Sequence, residues 1–447
     1  MDINKLLEIF NAHDHYSGFV SHLKDSDNVH ANITGVTGSA KSLIAASTFY
    51  ETGNTHLAIL SDKEEAAFFL NDITAFIGEK STYFFPSSYR RSIQYQQTES
   101  SNLILRTAAL NSISNAKTTE NESERNIFVI TYPEAIIEKV ITHSKLSTNT
   151  LKLVKGEQIS IAFIEDVLHE YGFHVSDFVY EPGQYSIRGS IVDIFSFSND
   201  FPYRIDFFGD EVDSIRTFDV DNQRSKENLN KITIVPNVQD VTLEDVKETL
   251  FEFIPENTVV WAEDVSYIIG RLNDLYHSTN FLNGENQLSI EKESIITTGH
   301  HVLSKITGFK TIEFSSKAFI ESSGTFILNI SPQPRFNKNF ELLGSTLIDH
   351  QKKGYKNYIL SDYENQIDRI SSIFENIEQN VEFTPVFKTL HEGFIDHDLK
   401  ICCFTDHQIF DRYHKFKIHR SFDKKASLTI KELTGLKPGD YVVHVDH

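Results

Sequence analysis

The sequence predicts a multidomain α/β protein, and three observations carry that expectation. A phosphate-loop-like segment at residues 31–42 follows a short apolar run near the start. Units of strand, cap and helix recur at residues 57–77 and 358–374, too far apart for a solenoid repeat. Between them, residues 185–219 (YSIRGSIVDIFSFSNDFPYRIDFFGDEVDSIRTFD) alternate apolar and polar side chains with the period of half-buried strands. The expected architecture is a degenerate P-loop α/β domain carrying an inserted α+β domain built on an antiparallel sheet. A smaller α/β domain follows.

The 447 residues suit roughly three domains at ~150 residues each. Acidic side chains number 63 against 42 basic ones, a formal net charge of -21. That balance argues against tight nonspecific binding to nucleic acid, which needs Lys and Arg to neutralise phosphates. Cys402 and Cys403 are adjacent, so on a strand they point to opposite faces, into core and not into a disulfide or metal site. Cysteine use this sparse fits a reducing cytoplasm. No apolar run approaches ~20 residues, so no membrane partner is expected.

In chain order, Ile3, Leu6, Leu7 and Phe10 share one face of an opening helix. The loop that follows holds Gly35, Gly38, Ala40, Lys41 and Ser42. In a phosphate loop, glycines let backbone amides cradle phosphates, the lysine reaches them and the hydroxyl holds magnesium. Gly35, Lys41 and Ser42 match GxxxxGK[ST], but Ala40 stands where the second glycine belongs and adds a methyl at the cradle. The best candidate for a metal-holding acid is Glu263-Asp264, in reversed order, and Asp264 reads as a helix cap. The segment is therefore read as a nucleotide-binding fold that has lost its chemistry, with no catalytic residue.

Ser61 with Glu64, and Ser361 with Glu364, have capping-box spacing. Helices follow, with Ala66, Leu70, Ile73 and Ile77, and then Ile367, Ile370 and Phe374, facing inward. A strand ends at Pro86, and Arg90, Arg91 and Arg106 read as solvated charge on a helix. Residues 127–131 form a strand and a helix runs from there through Val140. Residues 151–156 start the inserted domain, and an amphipathic helix follows at 161–171. The meander then runs to about Pro236, with Gly209-Asp210 as one turn. Residues 237–323 resume the first domain with a helix at 243–253 and a strand at 258–261. Asp406 and His407 read as a helix cap after the strand 400–405. His444 and Asp446, on alternate strand positions, and the terminal His447 read as structural, so no metal site is expected.

The pattern R-G-x-x-x-D-I-F at residues 188–195, with YRIDFFGDEVDSIRTFD after it, resembles the second domain of the excinuclease protein UvrB. It is more similar still to the homologous module of bacterial transcription-repair coupling factors. The resemblance implies a RecA-like or helicase-like first domain at 1–149 and 237–324, and a dock for the excinuclease protein UvrA at 150–236. It further implies a small α/β domain at 325–415, a linker at 416–432, and at 433–447 the cut-short start of an RNA-polymerase-interacting domain. The family's dock includes two arginines and an aromatic; Arg188 matches one arginine, and His174 stands in place of the other. Phe195 and Arg204 are added as candidate contacts. ATP and magnesium, RNA polymerase and double-stranded DNA are implied for the full-length motor beyond residue 447, and no cofactor for this portion. The alternative is UvrB itself, or a related ATP-dependent DNA helicase with a working nucleotide site.

Overall fold

The computed structural model describes residues 1–25, 29–88, 100–118, 126–148, 150–199, 201–220, 222–236, 247–279, 292–377 and 380–414. Arg90, Arg91 and the expectations for residues 416–447 lie outside these. Seven strands form one parallel sheet in the order Gly324–Ile327, His30–Thr34, Lys310–Phe314, Val259–Ala262, His56–Ile59, Phe128–Thr131, Thr82–Phe84. Strands from after the meander thus sit between strands from before it, so the sheet is completed only when the chain returns. Its central strands are buried throughout and read as apolar runs, as a sheet covered on both faces requires. Gly324–Ile327 pairs with His30–Thr34, which carries the first sheet slightly past residue 324.

A six-stranded sheet is inserted between Phe128–Thr131 and Val259–Ala262: Ser225–Leu229, Glu211–Phe218, Tyr203–Phe208, Ile191–Ile194, Gln184–Arg188, His174–Val175. All its pairs are antiparallel except the last. The strands Leu151–Val154 and Lys231–Ile234 pair at its base and join entry to exit. A third, five-stranded mixed sheet holds Ile330–Pro332, Phe394–Asp396, Ile401–Thr405, Lys356–Leu360 and Thr384–Val386.

The first and third sheets share one apolar core, in which Phe10 and Ala45 meet a cluster reaching Phe394 and Cys403. Cys402 points the other way, into a separate cluster with Phe404 and Ile359. The opening helix, Asn4–Asn11, buries Leu6, Leu7 and Phe10, each such side chain contributing about 1.5–3 kcal/mol. No described helix is long and apolar enough to cross a membrane.

Six expectations change. Of the helix expected at 243–253, Lys247–Glu248 is a strand and only Leu250–Phe253 is helical among the described residues. Asp406 and His407 do not cap a helix: they lie within Asp406–Ile409, whose N-cap is Thr405, and the Asp406 carboxylate instead accepts from Arg412 at 2.7 Å. Helix Lys63–Ile77 is capped by Asp62, whose Oδ1 accepts the N–H groups of Glu64 and Glu65 at 2.8 and 3.0 Å, and not by Ser61. A charged carboxylate satisfies two orphan donors where a hydroxyl would satisfy one. Ser361 likewise does not cap Glu364–Asn376: it is buried and donates to Asp406 at 3.1 Å. The helix after Thr131 stops at Ile136, and Val140–Ile141 is a strand paired with Lys247–Glu248. Arg106 is not solvated. It is 1% exposed, donates to the Pro86 carbonyl at 2.7 Å and pairs with buried Glu138 at 3.3 Å.

Candidate partner-docking site

The run 185–197 looks like one alternating strand but folds as a hairpin. Gln184–Arg188 and Ile191–Ile194 pair with Tyr185 opposite Ile194 and Arg188 opposite Ile191. Gly189, at φ +63°, supplies the left-handed turn between them, a conformation that costs most side chains strain. The second turn, Gly209-Asp210, falls as expected between Tyr203–Phe208 and Glu211–Phe218. Across these strands Ser186, Asp193, Arg204 and Arg216 occupy one row of cross-strand partners.

That register places Asp193 between two guanidinium groups. Arg204 grips it with two parallel bonds, Nε to Oδ1 at 2.7 Å and an NH2 nitrogen to Oδ2 at 2.8 Å. Arg188 donates to the same Oδ2 from the other side. Asp193 is 1% exposed, the Arg204 side chain 14% and the Arg188 side chain 37%. The Asp193 bond holds the Arg204 guanidinium above its usual range, against the cost of burial. Arg204 also donates to the carbonyl and side-chain oxygens of Gln223 at 3.3 and 3.1 Å and lies over the Phe218 ring. Arg188 additionally donates to the Asp177 carbonyl at 3.1 Å and sits 5.1 Å from the Phe178 ring centroid, with much of its fork open to solvent.

Phe195 is corrected: it is fully buried, packed with Val179 and Phe218, so no partner can touch it. Phe218 in turn lies under the Arg204 guanidinium. His174 is exposed on the short edge strand His174–Val175, with its backbone N–H bonded to Gly183 at 2.7 Å. The alternation pattern missed three exposed apolar residues, Val175, Phe178 and Tyr180, of which Phe178 lies beside Arg188. The signal available for them was three large apolar residues near one another in a loop-rich segment with no alternating polar partner.

The phosphate-loop-like residues are brought together at the C-terminal end of His30–Thr34, where Gly35 and Gly38 have φ of +70° and +56°. Ala40 opens the helix Ala40–Thr52 and is fully buried. Lys41 Nζ is 2.5 Å from Glu263 Oε1. The Ser42 hydroxyl donates to Asp72 Oδ2 at 3.2 Å. Asp264 caps Val265–Ser278 by accepting the Tyr267 N–H at 2.8 Å. Cation and hydroxyl are thus both engaged with carboxylates of the chain itself. Among the described residues, His13, Asp396 and Asp398 bring three potential metal ligands within 4.8 Å of one another. His13 Nδ1 accepts the His15 N–H at 3.2 Å, which keeps the proton on Nε2, facing Asp398 at 3.6 Å. That imidazole offers a donor to carboxylates, with no lone pair for an ion.

Residues 151–239 match the UvrB interaction domain. The chain aligns with bacterial transcription-repair coupling factors over most of its length. It is 21% identical to the Staphylococcus epidermidis protein over 93% of this chain and 22% identical to that of Bacillus subtilis over 93%. Identity to the Escherichia coli protein is 35% over a shorter stretch, 25% of this chain. The first two alignments span 41% of each relative's own length.

Proposed function

We propose that this chain recruits the excinuclease protein UvrA through its inserted antiparallel sheet, as the amino-terminal part of a transcription-repair coupling factor. The observation that carries the reading is the Arg188 guanidinium: over a third exposed, yet fixed by the Asp193 carboxylate and the Asp177 carbonyl. A pre-oriented arginine fork beside the exposed Phe178 ring, whose centroid is 6.4 Å from that of Tyr180, has the composition of an interface hot spot, and it selects a partner carrying carboxylates. The match of residues 151–239 to the UvrB interaction domain supports the same assignment.

The first α/β unit is read as a degenerate P-loop domain without nucleotide chemistry. Ala40, the Lys41–Glu263 pair and the Ser42–Asp72 bond support this. A working cradle leaves its lysine and hydroxyl for phosphate and magnesium, which counts against the helicase alternative. In the whole protein, ATP-driven translocation on double-stranded DNA, with magnesium, and engagement of stalled RNA polymerase belong to sequence beyond residue 447. Calorimetric titration of purified UvrA into this chain tests the proposal.

A further inference from the structure

The segment Leu390–Gly393 of the third unit lies against the phosphate-loop-like turn of the first. The Ser39 N–H, a helix-terminal donor of the kind that ordinarily serves an anion, donates to the Glu392 carbonyl at 3.3 Å. In return the Glu392 N–H donates to Ser39 Oγ at 2.9 Å. The next amide, that of His391, donates to Asp72 Oδ1 at 2.8 Å, while Asp72 Oδ2 accepts from Ser42. Ser39, Ser42 and Asp72 are all at most 3% exposed, so on the first unit's side these groups are withdrawn from water, where leaving one unpaired costs most.

Shape agrees with the hydrogen bonding. A Cβ on Gly38 would stand 3.1 Å from the Gly393 carbonyl oxygen and 3.2 Å from Glu392 Cβ, so the bare glycine backbone is what the segment rests on. At Gly393 a Cβ would fall 2.0 Å from Gln333 Oε1 and 2.6 Å from the Cys403 carbonyl oxygen, so this position too excludes a side chain. The segment is held from its own side as well: the Gly393 N–H donates to Gln408 Oε1 at 2.7 Å and His407 Nε2 donates to the His391 carbonyl at 2.7 Å. The His391 ring stacks on Phe68 of the first unit, centroids 3.5 Å apart and planes 10° from parallel.

We propose that the turn Gly35–Ser39 and the start of its helix are a peptide-docking site, filled in cis by the backbone of Leu390–Gly393 where a nucleotide loop would hold phosphate. Two amides and a carbonyl of the peptide are read by Asp72 and Ser39, and Asp72 brings a carboxyl group into the space an anionic phosphate would need. The consequence is mechanical: the contact staples the third unit to the first. This goes beyond recruitment of a repair partner and stands independently of it.

Hydrogen exchange on the full chain tests the proposal. The amides of His391 and Glu392, in a connecting segment, should be protected, and Asp72→Ala should speed exchange at His391 by about tenfold, as loss of one bond to a carboxylate implies. Amides of Phe394–Asp396 and Ile401–Thr405 should not change. If Asp72→Ala does not fold, Ser39→Ala removes the acceptor for Glu392 together with the Ser39 bond to Asp72, and should speed exchange at Glu392. Exchange of both amides at the rate of an open chain in the parent protein would overturn the proposal. So would millimolar ATP with magnesium protecting residues 35–42 while releasing 391–393.

Discussion

Arg188 and Arg204 donate to the same oxygen of Asp193, Oδ2, from the strands on either side of Ile191–Ile194. The buried carboxylate therefore sets the orientation of the exposed fork. Asp193→Ala should cost about 2–3 kcal/mol of stability through lost bonds to charged groups, and should also release Arg188. Urea denaturation measures the first effect and affinity for UvrA the second. A variant as stable as the parent would mean the two guanidinium groups are solvated without cost.

Arg204→Ala and Arg188→Ala should separate. Arg204 makes four side-chain bonds, two to Asp193 and two to Gln223, and lies over Phe218, so its loss acts chiefly on stability. Arg188 is the more exposed partner, so its loss should leave the urea midpoint nearly unchanged. Equal destabilisation by both would remove the distinction between positioning and contact.

The inner pair Arg106–Glu138 is a stronger case, with both side chains at most 4% exposed. Glu138 also accepts from the hydroxyl groups of Ser87 and Ser88 at 2.6 Å each. Glu138→Ala leaves a buried guanidinium without its counter-charge and should destabilise by about 3–5 kcal/mol, seen as a lower urea midpoint. A loss below about 1 kcal/mol would show that water reaches the site.

The sequence carried the α/β class, the meander and the opposed faces of Cys402 and Cys403 because each rests on local pattern. It did not carry the turn at Gly189, since alternation continues through a two-residue turn and hides it. Nor did it carry the burial of Arg106, whose counter-charge lies 32 positions on in a separate element, or the contact of Ser39 with Glu392, 353 residues apart. Arg188 was legible as a motif residue. Its dependence on Asp193 became legible only once strand register put Asp193 opposite Arg204.

Burial pushes the Asp72 carboxyl up to about 7, while bonds from Ser39, the His391 N–H and Ser42, and the nearby His407, oppose the rise. Its ordinary value is about 4, so the folded chain keeps this proton over a range where the unfolded chain has lost it. The stability linked to it is complete below about pH 4 and is lost as pH rises through about 7. Asp72→Asn keeps an acceptor for His391 and should flatten that part of the urea-midpoint profile. An unchanged profile would assign the slope to other groups.

Burial also pushes the Cys402 thiol up to about 12 and the Cys403 thiol well above its usual value. Neither should react with a disulfide reagent at about pH 8 in the folded chain, and both should react on unfolding in guanidinium. Rapid labelling of the native protein would show that the third sheet opens easily.

The most direct measurement is calorimetric titration of UvrA into this chain and into Arg188→Ala. Saturable binding by the parent is expected, with a loss of about 1–3 kcal/mol in the variant, roughly 5- to 150-fold in Kd, and an unchanged urea midpoint. No binding by the parent, or equal affinity for both proteins, would contradict a dock built on the Arg188 fork.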